Sequence, residues 1–126
     1  MKLLLLAALG GALGSGARHL INVSMLAWLG SGFPWATFTV NIVGGFLMGA
    51  LVEILMPFSG ASVTEWRTFL ATGILGGFTT FSAFSLDAWV LYERGERLAL
   101  GLYVALSIVL SIAALILGMA LVRGLR

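Results

Sequence analysis

The chain has no cysteine, only two prolines and one histidine, and few charges: seven Lys or Arg and five Asp or Glu in 126 residues. Without cysteine there is no disulfide framework and no thiolate metal site. Charged residues make up 10% of the chain, against about 25% in ordinary soluble domains, so the usual solvated surface cannot be built. The pI of 9.7 rests on seven scattered basic residues that form no patch, which argues against nucleic acid as a partner. Nothing resembles a nucleotide loop or a catalytic constellation, and the chain reads as a non-enzyme.

What is present is apolar. Hydrophobic residues make up 60% of the chain and mean hydropathy is +1.10. A soluble fold this small leaves much of its surface wet and could not hide so much apolar area. A lipid bilayer removes the problem. A membrane helix needs about 20 mostly apolar residues, and four stretches qualify: residues 3–28, 34–56, 66–92 and 98–122. Residues 1–126 therefore read as a single four-span, all-α membrane domain. Lys2 before an apolar run also fits a signal peptide, but no polar mature region follows and the stretch is long enough to span.

Turn residues punctuate the spans: Gly30, Ser31, Gly32 and Pro34; then Pro57, Ser59, Gly60 and Ser62; then Glu93 to Arg97. Short links make neighbouring helices antiparallel. With four spans, Lys2, Arg67, Arg123 and Arg126 share one side, while Arg94, Arg97 and a snorkelling Arg18 share the other. Lys and Arg normally mark the cytoplasmic side, and here they hardly choose one. Either other signals orient the chain, or it inserts both ways and pairs as an antiparallel dimer.

Polar residues inside spans are costly unless they meet protein or water. Gly10, Gly14 and Arg18 share one face of the first span, and small residues at this spacing let helices approach closely. Arg18 is then either a snorkelling arginine or a fixed charge in an anion vestibule. His19 beside it reads as interfacial. In the second span Thr37, Asn41, Gly45 and Gly49 share a face. Asn41, with two donors and two acceptor sites, is either a helix-to-helix bridge or a pore-lining donor. Tyr103, Ser107 and Ser111 form a similar stripe in the fourth span. Hydroxyls there often bond back to their own helix.

The third span is poor helix material at its centre, where Gly76-Gly77 is followed by Thr79-Thr80. Unbroken from Trp66 to Tyr92 it would be about 40 Å long, more than a bilayer core of about 30 Å. A break between Gly76 and Thr80 resolves both facts. Broken backbone at this depth must be buried in protein or line a cavity, and its freed groups can bind ions. Beyond the break, Phe81 and Phe84 fall on one face, as packing residues or as rings beside a pore.

The run Gly-Gly-Phe-Thr-Thr-Phe-Ser-Ala-Phe-Ser from Gly76 to Ser85 resembles the third-span signature of the Fluc (CrcB) family of fluoride channels. Gly11, Gly14 and Arg18 are similar to that family's first helix. Thr37, Thr39, Val40, Asn41 and Gly44 are similar to its second, and Ser107 and Ser111 to its fourth. The resemblance covers the full length. It implies a dual-topology antiparallel homodimer with two pores, in a bacterial inner membrane, that passively exports fluoride. It implies a structural sodium ion at the dimer centre, held by carbonyls that by position belong to Gly76 and Thr79. Phe81 and Phe84 are then the rings beside the fluoride path, and Asn41 a polar group on it. Two departures remove hydroxyls from the family's polar track: Ala83 and Leu115 stand where threonine is common. The path should then rely on Asn41, Ser82, Ser107 and Ser111. Asp87 keeps an acidic residue where one is usual.

Fluoride is small, strongly hydrated and a strong hydrogen-bond acceptor. Amide and hydroxyl donors can replace its water, and aromatic rings offer positive edges. Contacts that are individually weak let the ion enter and leave. Two alternatives compete with this reading. A small proton-coupled multidrug exporter needs a carboxylate in the first span, which holds no Asp or Glu. The other is an assembly or lipid-packing subunit with no transport of its own, and reconstitution in liposomes separates all three.

Overall fold

The computed structural model describes residues 1–126 and consists of helices and turns only. Helix α1 covers Lys2–Leu29 and α2 covers Trp35–Leu55. The third span opens with α3 (Ala61–Arg67), widens into a π-helical stretch (Thr68–Leu75) and returns to α-geometry in α4 (Gly76–Phe78). After two extended residues it resumes as α5 (Phe81–Glu93), and α6 (Arg97–Gly124) completes the chain. Four helical segments are thus long and apolar enough to cross a membrane, the third being the composite Ala61–Glu93.

Only 15 of the 126 residues are buried, and side chains such as Leu9, Leu13, Ile116 and Leu117 point outward. No water-soluble fold presents such a surface, so lipid must be the solvent of these faces. Trp28, Trp89 and Tyr92 lie exposed near the span ends of one side and Trp66 near those of the other, where amphipathic rings sit at headgroup level.

Two tight helix pairs carry the architecture. The first span packs on the third through glycine: a Cβ on Gly73 would stand 2.8 Å from the Gly10 Cα, and one on Gly77 2.6 Å from the Gly11 carbonyl oxygen. The second span packs on the fourth the same way. A Cβ on Gly45 would lie 2.7 Å from the Ser111 carbonyl oxygen, and Gly49 and Gly118 have no more room against Leu115 and Phe46. In lipid, where apolar surface gains nothing by leaving solvent, close backbone approach is the main source of attraction. The fourfold glycine spacing therefore sets which helices pair.

The third span starts at Ala61, ahead of the expected Trp66. The link turns at Met56 and Pro57, Gly60 enters the helix from the left-handed side with φ of 109°, and Ser62 sits in the first helical turn, where backbone N–H groups are free of partners anyway. The break falls inside the expected window but later than its glycines. Gly76 stays helical at φ −63°, ψ −38°, whereas Thr79 (φ −85°, ψ 158°) and Thr80 (φ −154°, ψ 124°) are extended. β-branched residues favour extended backbone, and each threonine hydroxyl finds a local partner: Thr79 Oγ1 donates to Leu75 O at 2.9 Å, and Thr80 Oγ1 accepts from Ala83 N–H at 3.1 Å.

A second polar anchor lies at the far end of α2. Glu53, 1% exposed, accepts from Arg123 Nε at 3.2 Å, Arg123 Nη2 at 3.0 Å and Arg126 Nη1 at 3.1 Å. Arg126 also reaches the Glu53 carbonyl. This cluster ties the end of α6 to α2.

Candidate functional site

The break is held open by one side chain. Asn41, from the middle of α2, donates through Nδ2 to Thr80 O at 3.0 Å and accepts from Thr80 N–H at 2.8 Å. Both peptide groups of an extended residue are thereby satisfied across 39 positions of sequence. Such groups would otherwise be orphaned in an apolar interior. Asn41 thus bridges two spans, and one amide hydrogen remains for any other partner.

The bridge changes the hydrogen bonding around it. In a continuous helix Thr80 N–H would close on Gly76 O, and Ala83 N–H on Thr79 O. Here the first goes to Asn41 Oδ1 and the second to Thr80 Oγ1. The carbonyls of Gly76 and Thr79 thus lose their helical donors.

Beside the break lies a groove of about 340 Å³ whose walls include Asn41, Phe81, Phe84, Ser107 and Ser111. Five of the six expected pore residues meet here. The α5 register puts Phe81 and Phe84 on one face, ring centroids 5.6 Å apart, and Phe84 continues to Tyr103 at 5.2 Å. Tyr103 is fully buried and donates to Asp87 Oδ2 at 3.1 Å. Phe81 is 79% exposed in the single chain. Ser107 is 5% exposed, and its hydroxyl has no hydrogen-bond partner. An unpartnered buried hydroxyl costs about 1–3 kcal/mol, so Ser107 carries, beside the groove, a polar group whose partner the chain itself does not supply.

Ser82, expected with the groove residues, lies instead on an adjoining cavity of about 570 Å³. The reason is helical: one position past Phe81 turns the side chain about 100° away. Arg18 lines this second cavity with Asp87, His19, Asn22 and Thr37. Arg18 takes part in no ion pair, so it faces the cavity as a free positive charge. Thr80 borders both spaces.

Three residues escaped the sequence reading. Thr80 caps α5 and anchors Asn41; the Thr-x-x-Ala start offered a cap signal but no capping box. Asn22 shares a helix face with Arg18 at i, i+4 and was legible by spacing alone. Glu53 stood out only as a lone carboxylate near a span end, with nothing local to name its partners.

The chain matches the model of the family described as CrcB-like protein, Camphor Resistance (CrcB), over residues 5–119. It is 54% identical to a Cereibacter sphaeroides protein over 96% of this chain and 94% of that one. It is 52% identical to a Rhizobium johnstonii protein over 96% of each chain, and 51% identical to a Sphingopyxis alaskensis protein over 92% of this chain and 91% of that one. All three relatives are named fluoride-specific ion channel FluC. With a family match across nearly its whole length and relatives at half identity, the chain belongs to the CrcB-like family.

Proposed function

We propose that this protein is a fluoride channel of the inner membrane, a multi-pass pore that lets fluoride leave the cell down its own gradient. The observation that carries the reading is the Ser107 hydroxyl, buried and unpartnered beside a groove lined by Asn41, Phe81 and Phe84. A strong acceptor with no proton of its own is the partner such a donor lacks. Arg18 in the adjoining cavity raises the local anion concentration. The weak edges of the two rings hold the ion without trapping it.

The pore takes two copies. In one chain the groove opens sideways and Phe81 is largely exposed, so an ion there would face lipid. A second, antiparallel copy supplies the missing wall, and the near balance of Lys and Arg between the two sides permits both orientations. A sodium ion at the centre of that dimer fits the break. No cluster of three His, Cys, Asp or Glu side chains exists to hold a metal, whereas Gly76 and Thr79 have carbonyls stripped of helical donors. The carbonyls of Gly76 and Thr79 would hold the ion, and sodium bound there would supply the positive charge that offsets them.

Reconstitution in liposomes tests the function. Purified protein should release trapped fluoride passively, with no proton gradient and no chloride release at the same rate. Liposomes that retain fluoride, or that exchange protons for a lipophilic cation, would remove the reading.

A further inference from the structure

The end of the bundle that carries both termini has one basic residue left over. Four Lys or Arg lie on this side: Lys2, Arg67, Arg123 and Arg126. Lys2 pairs with Glu65 at 2.7 Å, and Arg123 and Arg126 pair with Glu53. Arg67 meets no carboxylate. Its one hydrogen bond is a long donation from Nη2 to Leu55 O, at 3.5 Å.

Arg67 lines a cavity of about 410 Å³ between the end of α2 and the start of the third span, a size within the range of small-molecule sites. The cavity shares no residue with the groove or with the Arg18 cavity. Its two walls differ in chemistry. Leu51, Val52 and Leu55 form the α2 wall, and Arg67, Thr68 and Thr72 lie on the wall of the third span. The neighbouring Thr64 hydroxyl closes on Gly60 O of its own chain at 3.3 Å, as helix threonines commonly do. The Thr68 and Thr72 hydroxyls, in the π-helical stretch, make no such bond.

Depth in the membrane follows from length. The third span is 33 residues long, about 50 Å of helix against a hydrocarbon core of about 30 Å. Its first turns therefore stand among the headgroups, where the exposed Trp66 belongs. Arg67 is level with Leu55, the last residue of α2, at the boundary between headgroup and hydrocarbon. A free cation and two hydroxyls at that depth, facing an apolar wall, match an anionic amphiphile. A water-borne anion gains nothing from Leu51 or Val52, and a zwitterionic headgroup brings a second positive charge toward Arg67. Basic pockets between membrane helices hold anionic headgroups in this way, and a guanidinium suits phosphate because its donors form a planar fork.

We propose that this cavity binds an anionic phospholipid, with its phosphate on Arg67 and Thr68, its glycerol ester beside Thr72 one turn deeper, and an acyl chain along Leu51, Val52 and Leu55. The lipid supplies the negative charge that the carboxylates on this side do not bring to Arg67.

Native mass spectrometry of the purified protein with dioleoyl phosphatidylglycerol, and separately with dioleoyl phosphatidylcholine, reads the site directly. The parent should retain phosphatidylglycerol in preference. Arg67→Gln should weaken that retention at least about fivefold, the effect of one basic residue near an anionic surface, and Arg67→Lys should keep most of it. Arg97→Gln removes the same charge from an exposed position at the opposite end and should retain lipid as the parent does. Val52→Phe keeps every charge and narrows the cavity from a position 42% exposed, which folding should tolerate, and retention should fall there too. Unchanged retention in Arg67→Gln overturns the proposal. So do equal losses in Arg67→Gln and Arg97→Gln, which would mean a diffuse surface attraction. A dimer that Arg67→Gln weakens equally with either lipid also overturns it, since a second copy of the chain would then fill the cavity. Fluoride release plays no part in this readout, so failure of the fluoride reading shows in liposomes and not here.

Discussion

Replacing Asn41 by leucine separates its two roles, because Asn→Leu keeps the branched shape of the side chain and removes every polar atom. The variant loses the bonds of 3.0 Å and 2.8 Å to Thr80. Thr80 is 9% exposed, so its N–H and C=O gain no water in exchange. Two orphaned groups at about 1–3 kcal/mol each set a ceiling of roughly 6 kcal/mol. Hydrogen bonds between membrane helices measure about 0.6 kcal/mol on average, because partly unfolded states find other partners, which sets a floor near 1 kcal/mol for the pair. A value toward the upper half is expected here, since the extended backbone of Thr79 and Thr80 prevents either group from rejoining a helix. Unfolding of purified protein in mixed detergent and sodium dodecyl sulfate, followed by circular dichroism, should show a destabilisation of about 3–5 kcal/mol, and fluoride efflux should fall with it. Asn41→Asp should recover part of the stability, because a carboxylate still accepts from Thr80 N–H but cannot donate to Thr80 O. An Asn41→Leu protein that unfolds like the parent while losing efflux would refute the bridge and return Asn41 to the role of ion donor.

Phe81→Leu and Phe84→Leu should each leave a well-behaved dimer yet cut efflux at least tenfold, a barrier change of about 1.4 kcal/mol. Phe78→Leu, at a buried position outside the groove, should cost stability more than efflux, and equal transport losses at all three would indicate general packing damage. A Cβ on Gly76 meets only Ala71 O at 3.5 Å within one chain, so Gly76→Val should fold but weaken dimerisation and its dependence on sodium; an unaltered sodium-dependent dimer would displace the ion from the break. C-terminal reporters for both compartments should reveal two orientations, and two or three lysines added after Arg126 should bias the population; a single orientation in the parent would exclude the antiparallel pairing.

The four spans were legible in the sequence because bilayer thickness and helix rise convert directly into a length of apolar chain. The neighbourhood of the break was legible for a related reason: residues 66–92 are too long for one straight crossing, and the poor helix formers cluster at their centre. Glycines at steps of four announced the close faces through helical periodicity, and the same arithmetic put Phe81 with Phe84 and Ser107 with Ser111. Each of these depends on neighbours within a turn or two, or on a property of the solvent.

Only the tertiary structure decided the rest. The helix yields at Thr79 and Thr80 while Gly76 and Gly77 stay helical, because Asn41 approaches from another span to satisfy the exposed peptide groups of Thr80. Ser82 parts from its neighbours because the groove and the Arg18 cavity lie on opposite sides of the α5 start. Glu53 meets Arg123 across 70 positions, a pairing no local pattern encodes. Composition and period give the cost of a polar group and the face it occupies. Which partner offsets that cost depends on how the helices cross, and the crossing is set by the packed glycine faces of whole spans acting together.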